Sequence, residues 1–178
     1  MIFLQKVIKV MQMRTFEERL EKTEGLADIF ELVKEGVRRI HKRGRAGLTL
    51  GLAELGGREN FWIGAFYPVG SNTIIVNKTP IRSIFQEKPS LFRPYIFHIL
   101  LHEYLHSLGY LDEASTRKLA RHISKELFGE NHVVTKMAED MGRFLPKIVY
   151  PPLGWQPGGE FHVEMVEDFD RSSTEYIM

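Results

Sequence analysis

His102-Glu103-Tyr104-Leu105-His106-Ser107-Leu108-Gly109-Tyr110-Leu111-Asp112 is the stretch from which the fold of this chain is read. Two histidines four apart on a helix project from one face, because four residues turn the helix by slightly more than a full circle. That spacing suits two corners of a tetrahedral Zn²⁺ site with Zn–N distances of about 2.0–2.1 Å. Glu103, beside the first imidazole, is placed to take a proton from a water at the metal rather than to bind the metal. Gly109 lets the helix end in a left-handed turn, after which a third ligand can return to the ion. Asp112 stands at that position. With 7 His among 178 residues, a chance H-E-x-x-H arises in roughly 3% of such chains, so the pattern is read as chemistry.

These residues resemble the motif of the zincin metallopeptidases, and H-E-x-x-H-x-x-G-x-x-D resembles the metzincin-type extended motif with Asp in place of the third His. The resemblance implies a zinc-dependent peptide hydrolase in which His102 and His106 are ligands and Glu103 is the general base. Metzincins also have a methionine-containing turn beneath the metal. Here Met137 and Met141 lie in a helical pattern and read as core. The same stretch, as H-x-x-x-H, resembles the histidine motif of the bacterial endoribonucleases of rRNA maturation. Those usually carry Gly where this chain has Glu103. A zincin-like module that binds a partner and hydrolyses little is a third reading.

The third ligand has several candidates. Asp112 precedes a helical pattern and is also suited to cap it. Glu113 is an alternative, and so is His132, which opens a later helix. His98, one turn before His102, reads as a hydrogen-bonded core histidine. An oxyanion formed at the site needs a donor, for which Tyr110, Tyr150 and His132 are candidates.

Outward from the motif, the apolar residues of Arg93–Leu108 cover much of the helix circumference, which predicts a helix running through the core. Gly25–Arg45 predicts an amphipathic helix with Leu26, Ile29, Phe30, Val33, Val37 and Ile40 on one stripe. Its basic end, Arg38 to Arg45, reads as cations at a helix C-terminus before Gly44, with RNA or an acidic partner as the alternative. Residues 1–24 are compatible with a strand or a helix. Leu48–Leu55 and Phe61–Val69 read as strands joined in a hairpin through Gly56-Gly57-Arg58-Glu59-Asn60. Asn72–Asn77 follows as a strand and as the candidate rim of a substrate cleft. Ala114–Phe128 and Asn131–Leu145 read as helices. Pro146–Gly159 is rich in Pro and Gly, so it is extended or turning.

The expected fold class is α+β: a zincin-like catalytic domain with a small twisted sheet against the active-site helix and further C-terminal helices. Residues 1–145 form that domain, and 146–178 a Pro/Gly-rich segment with an acidic tail. The tail from Glu160 carries six acids and one Arg, against a chain net charge of +1. It reads either as an added strand, with Phe161, Val163 and Met165 packing on the body, or as a latch along the cleft. Trp155, Phe161 and Tyr176 read as its anchors. The absence of Cys excludes disulfides, thiolate zinc sites and cysteine nucleophiles. Residues 1–10 are broken by Lys and Gln, unlike a signal peptide, and no apolar run approaches a membrane span. The expectation is a cytoplasmic protein with Zn²⁺ as cofactor and a peptide or protein as substrate. Neither a membrane nor nucleic acid is expected as a partner.

Overall fold

A computed structural model describes residues 1–57, 61–152 and 154–170, and among these all side chains except those of 12–14. Residues Ile2–Glu21 form helix α1, which resolves the ambiguity of the N-terminal segment. Helix α2 (Leu26–His41) buries Ile29, Phe30, Val33 and Val37, the stripe expected of it. It ends on Lys42 in the left-handed conformation (φ 59°), before reaching Gly44.

The strand region departs from the expected hairpin. Strand β1 (Thr49–Ala53) is followed by two short strands, β2 (Trp62–Ile63) and β3 (Ala65–Phe66), and then by β4 (Thr73–Asn77). β1 lies parallel to β4, with Thr49 opposite Thr73 and Ala53 opposite Asn77. β3 runs antiparallel to β4 on its other side. The expected partners β1 and 61–69 therefore flank β4 instead of pairing, while residues 58–60 of the predicted turn lie outside the described residues. The Phe61–Val69 run is split at Gly64, where a Cβ would come within 2.6 Å of the Tyr95 hydroxyl. A side chain there would drive the strand off the helix beneath it. β4 is thus an interior strand and not the rim. On that side the sheet ends at β3, whose Ala65 and Phe66 are both buried.

Helix α3 (Lys78–Glu87) begins at Asn77, whose side chain accepts from the Thr79 N–H. After a 3₁₀ turn, helix α4 (Phe92–Ser107) carries the motif and is buried on all sides from Pro94 to His106. Helix α5 (Glu113–Phe128) packs beside it, followed by α6 (Val133–Glu139). α6 is shorter than expected: the backbone becomes extended at Asp140 and makes one 3₁₀ turn over Met141–Arg143. Gly142 and Pro146, both poor helix formers, follow the break.

The C-terminal segment is woven into the body. β5 (Ile148–Val149) pairs in parallel with β2. β6 (Val163–Met165) pairs antiparallel with β1 and completes a four-stranded order β3-β4-β1-β6. Beyond it, the Asp170 carboxylate is buried, meets Lys34 of α2 and accepts from the Leu48 N–H. The tail's strand reading holds for these residues. Tyr176 and the rest of 171–178 lie outside the described ones. One core, formed by Leu50, Ile74 and Val76 with Phe30, Val33, Tyr95, Leu100, Leu101 and Leu105, joins sheet and helices. The molecule is a mixed α+β protein with six α-helices and a small sheet among the described residues. No helix among them is long and apolar enough to cross a membrane.

Candidate metal centre

The helical repeat of α4 puts His102 and His106 on one face, one turn apart. At the end of the helix Gly109 turns left-handed (φ 103°), and the Gly109 N–H donates back to the His106 carbonyl. The turn brings the Tyr110 carbonyl over the His106 ring, where it accepts from Nδ1–H at 2.5 Å. With Nδ1–H engaged by the Tyr110 carbonyl, Nε2 is the nitrogen His106 turns inward, a donor to Glu113 when protonated and a ligand atom when not. His102 Nε2 lies 3.1 Å from it.

Asp112 and Glu113 then take different directions. The Asp112 carboxylate accepts from the Ser115 N–H at 2.8 Å and caps α5. Glu113, the first residue of that helix, turns back onto both imidazoles, with Oε1 2.9 Å from His106 Nε2 and Oε2 3.2 Å from His102 Nε2. Donor atoms of His102, His106 and Glu113 all lie within 4.8 Å of one another. His132, the other candidate, is elsewhere: it caps α6 through Nδ1, stacks on Phe128, and has Nε2 3.7 Å from Glu17.

The donor set fits a tetrahedral ion. Bonds of about 2.0–2.1 Å imply ligand-to-ligand edges on the order of 3.3 Å, and with Glu113 Oε1 as the carboxylate donor the three separations are 2.9, 3.1 and 3.5 Å. Electrostatics agrees with the geometry. Burial pushes the Glu113 carboxyl up, but its hydrogen bonds to His102 and His106 outweigh this and hold it well below the usual carboxylate range. For His106, burial lowers the pKa while Glu113 and Glu103 raise it, and the net direction is upward. Two inward Nε2 atoms beside a carboxylate thus form a pocket for positive charge.

Glu103 stays outside the ligand set but close enough to His102, His106 and Glu113 to feel their charge. Its carboxyl is buried, which raises its pKa, and it accepts from the backbone N–H of Tyr67, just past β3. Glu103, His106 and Glu113 border a cavity of about 20 Å³ closed by Phe66, Pro151 and Trp155. Trp155 also walls a neighbouring cleft of about 710 Å³ lined by Leu55, Phe61, Ile63 and Val149.

Of the oxyanion candidates only Tyr150 borders the cluster. Its ring covers that of His102 at 4.6 Å, and its hydroxyl lies 2.5 Å from His98 Nε2. The Tyr110 hydroxyl is engaged outside by His41 and Arg43. His98 is buried as a hydrogen-bonded histidine, with its pKa pushed down to about 3 by burial, His102 and Arg117.

One contributor, Arg117, was not singled out from the sequence. Arg117 lies over the Tyr150 ring at 4.2 Å with Nε 3.7 Å from Glu113 Oε2; its i+4 spacing from Glu113 is a signal only once Glu113 is chosen. Arg45 donates to the Ser107 carbonyl at the end of α4, to the Tyr67 hydroxyl and to the Ser71 carbonyl. Arg43 donates to the Leu108 carbonyl. The basic cluster therefore serves the C-terminus of α4, not only that of its own helix. No protein-family model matches the chain, and neither the curated proteins nor the solved structures contain a match.

Proposed function

We propose that this chain is a zincin-like zinc peptidase in which His102, His106 and Glu113 hold the ion and Glu103 is the general base. One observation carries the reading. Three donors of the types zinc prefers converge in a buried setting, beside a fourth buried carboxylate that stays outside the set. Two neutral imidazoles and a carboxylate leave a zinc site at net +1. A zinc ion held there would lower the pKa of a coordinated water to about 7 and polarise a carbonyl.

The chain's own residues supply the rest. Glu103, with its pKa raised by burial, accepts the proton of the attacking water and delivers it to the leaving amine. The Tyr67 N–H fixes its orientation. Tyr150 and Arg117, stacked at the margin of the cluster, are the donors nearest to a developing oxyanion.

The small free volume at Glu103 favours a second reading, a zincin-like module that hydrolyses little. Metal content tests this: purified protein is expected to carry about one zinc per chain, lost in His102→Ala and His106→Ala. Glu103→Gln is expected to keep zinc and an unchanged circular dichroism spectrum while peptide hydrolysis falls by about 10²–10⁴-fold. Stoichiometric zinc in a His102→Ala/His106→Ala double variant would remove the assignment. Equal, near-zero hydrolysis by wild type and Glu103→Gln favours the module.

A further inference from the structure

Helix α1 carries two apolar faces that point in opposite directions. At about 100° per residue, Phe16 and Leu20 share one side, and both are buried against the body. The Phe16 ring meets that of Phe128 edge-on at 6.0 Å. In the N-terminal half the apolar side is the opposite one. Leu4, Val7 and Met11 form a seam with Phe3, Ile8 and Val10 on its flanks, an arc of roughly 160°. All of these side chains are exposed, Phe3 by 80% and Met11 by 64%. On the side of this half that turns toward the body, Lys9 reaches Glu126 of α5 at 3.1 Å. A surface helix normally buries the face that this one presents to solvent.

Charge selects the occupant. Residues 1–16 include Lys6, Lys9 and Arg14 and no acid; the first carboxylate is Glu17. A wide arc of Phe, Leu, Ile, Val and Met on one side, with lysines and no acids on the other, matches a helix that lies in the interface of an anionic bilayer. We propose that the N-terminal half of α1 docks this protein on an anionic lipid surface, with Phe3, Leu4, Val7 and Met11 inserted among the acyl chains. The inference revises the expectation of no membrane partner, and it stands whether or not the metal centre hydrolyses peptides.

Co-sedimentation of the full chain with vesicles tests it. Phosphatidylcholine vesicles containing about one-quarter phosphatidylglycerol are expected to bind the chain about tenfold or more better than pure phosphatidylcholine, and added salt is expected to weaken that binding. Leu4→Glu/Met11→Glu, at two exposed positions, is expected to reduce binding by about tenfold or more with the melting temperature unchanged. Lys6→Ala/Lys9→Ala should weaken binding to the anionic vesicles while leaving the neutral ones unaffected. A chain that stays in the supernatant with anionic vesicles at low salt overturns the proposal. So does a chain that is dimeric by analytical ultracentrifugation, becomes monomeric in Leu4→Glu/Met11→Glu, and ignores vesicles; the face then belongs to a second copy.

Discussion

Asp112 and Glu113 divide two tasks that a single carboxylate cannot perform together. An N-cap points its oxygen along the new helix at the N–H groups of the first turn, whereas a ligand must turn back across the preceding loop. Asp112 does the first and Glu113 the second. Glu113→Ala is therefore expected to lose zinc. Asp112→Ala should keep it and lose about 0.5–2 kcal/mol of stability, read by zinc titration and thermal melting. Normal zinc binding by both variants places the third ligand elsewhere. The convergence of His102 and His106 was legible because helical spacing alone sets their directions. The third donor was not, since neighbouring carboxylates after a Gly turn differ only in rotamer and cap geometry. His98 gives a second expectation. Its folded pKa of about 3 lies below the ordinary 6.5, so the unfolded chain binds the extra proton. The stability this contributes is present above about pH 6.5 and is lost as pH falls from there towards about 3. In metal-free protein the wild-type melting temperature should fall, from pH 7 to pH 5, by more than that of His98→Gln. Parallel curves would remove His98 from the account.

At the scale of elements, Asn77 shows why the helices were easier to read than the strands. A helix such as α2 announces itself through its own stripe, and α4 through apolar residues on every side. The strands take their order from distant partners: Gly64 breaks the 61–69 run because Tyr95 occupies the space of its missing side chain, and no local pattern encodes that. Asn77 joins these pieces. Its Oδ1 accepts from the Leu55 and Thr79 N–H groups, and its Nδ2 donates to the Gly56 and Ile63 carbonyls. It is fully buried, so each lost bond leaves a group away from water. Asn77→Ala is expected to cost about 3 kcal/mol in denaturant unfolding. Asn77→Asp is the sharper comparison, since Asp caps helices as well as Asn does. Here it would set a carboxylate against two carbonyl oxygens, so it should destabilise as well. An Asp variant as stable as wild type would show that the donor half of this side chain contributes nothing.

For the whole molecule, the question is what the chain beyond Gly159 does. The sequence allowed a strand or a latch, because alternating Phe161, Val163 and Met165 followed by acids suits either. In the structure β6 extends the sheet on β1. Phe169 stacks on Phe30 of the core at 4.1 Å, and Asp170 brings a buried carboxylate to Lys34 and to the Leu48 N–H. Ending the chain at Gly159 removes all three supports. It takes the buried carboxylate from Lys34, which keeps Glu31 at 2.9 Å, and leaves the Leu48 N–H without that acceptor. Breaking a buried ion pair from one side costs up to about 3–5 kcal/mol, to which the lost strand and the Phe169 stack add. With about 2–4 °C per kcal/mol for a chain of this size, the melting temperature should fall by about 10 °C or more. Asp170→Asn should reproduce part of that fall by itself. The residues that close the cavity beside Glu103, Pro151 and Trp155 among them, remain in the shortened chain, so hydrolysis of an unstructured protein should not rise. A truncated chain that melts like the full one and cleaves faster would mean that the tail covers the cleft and contributes little to the fold.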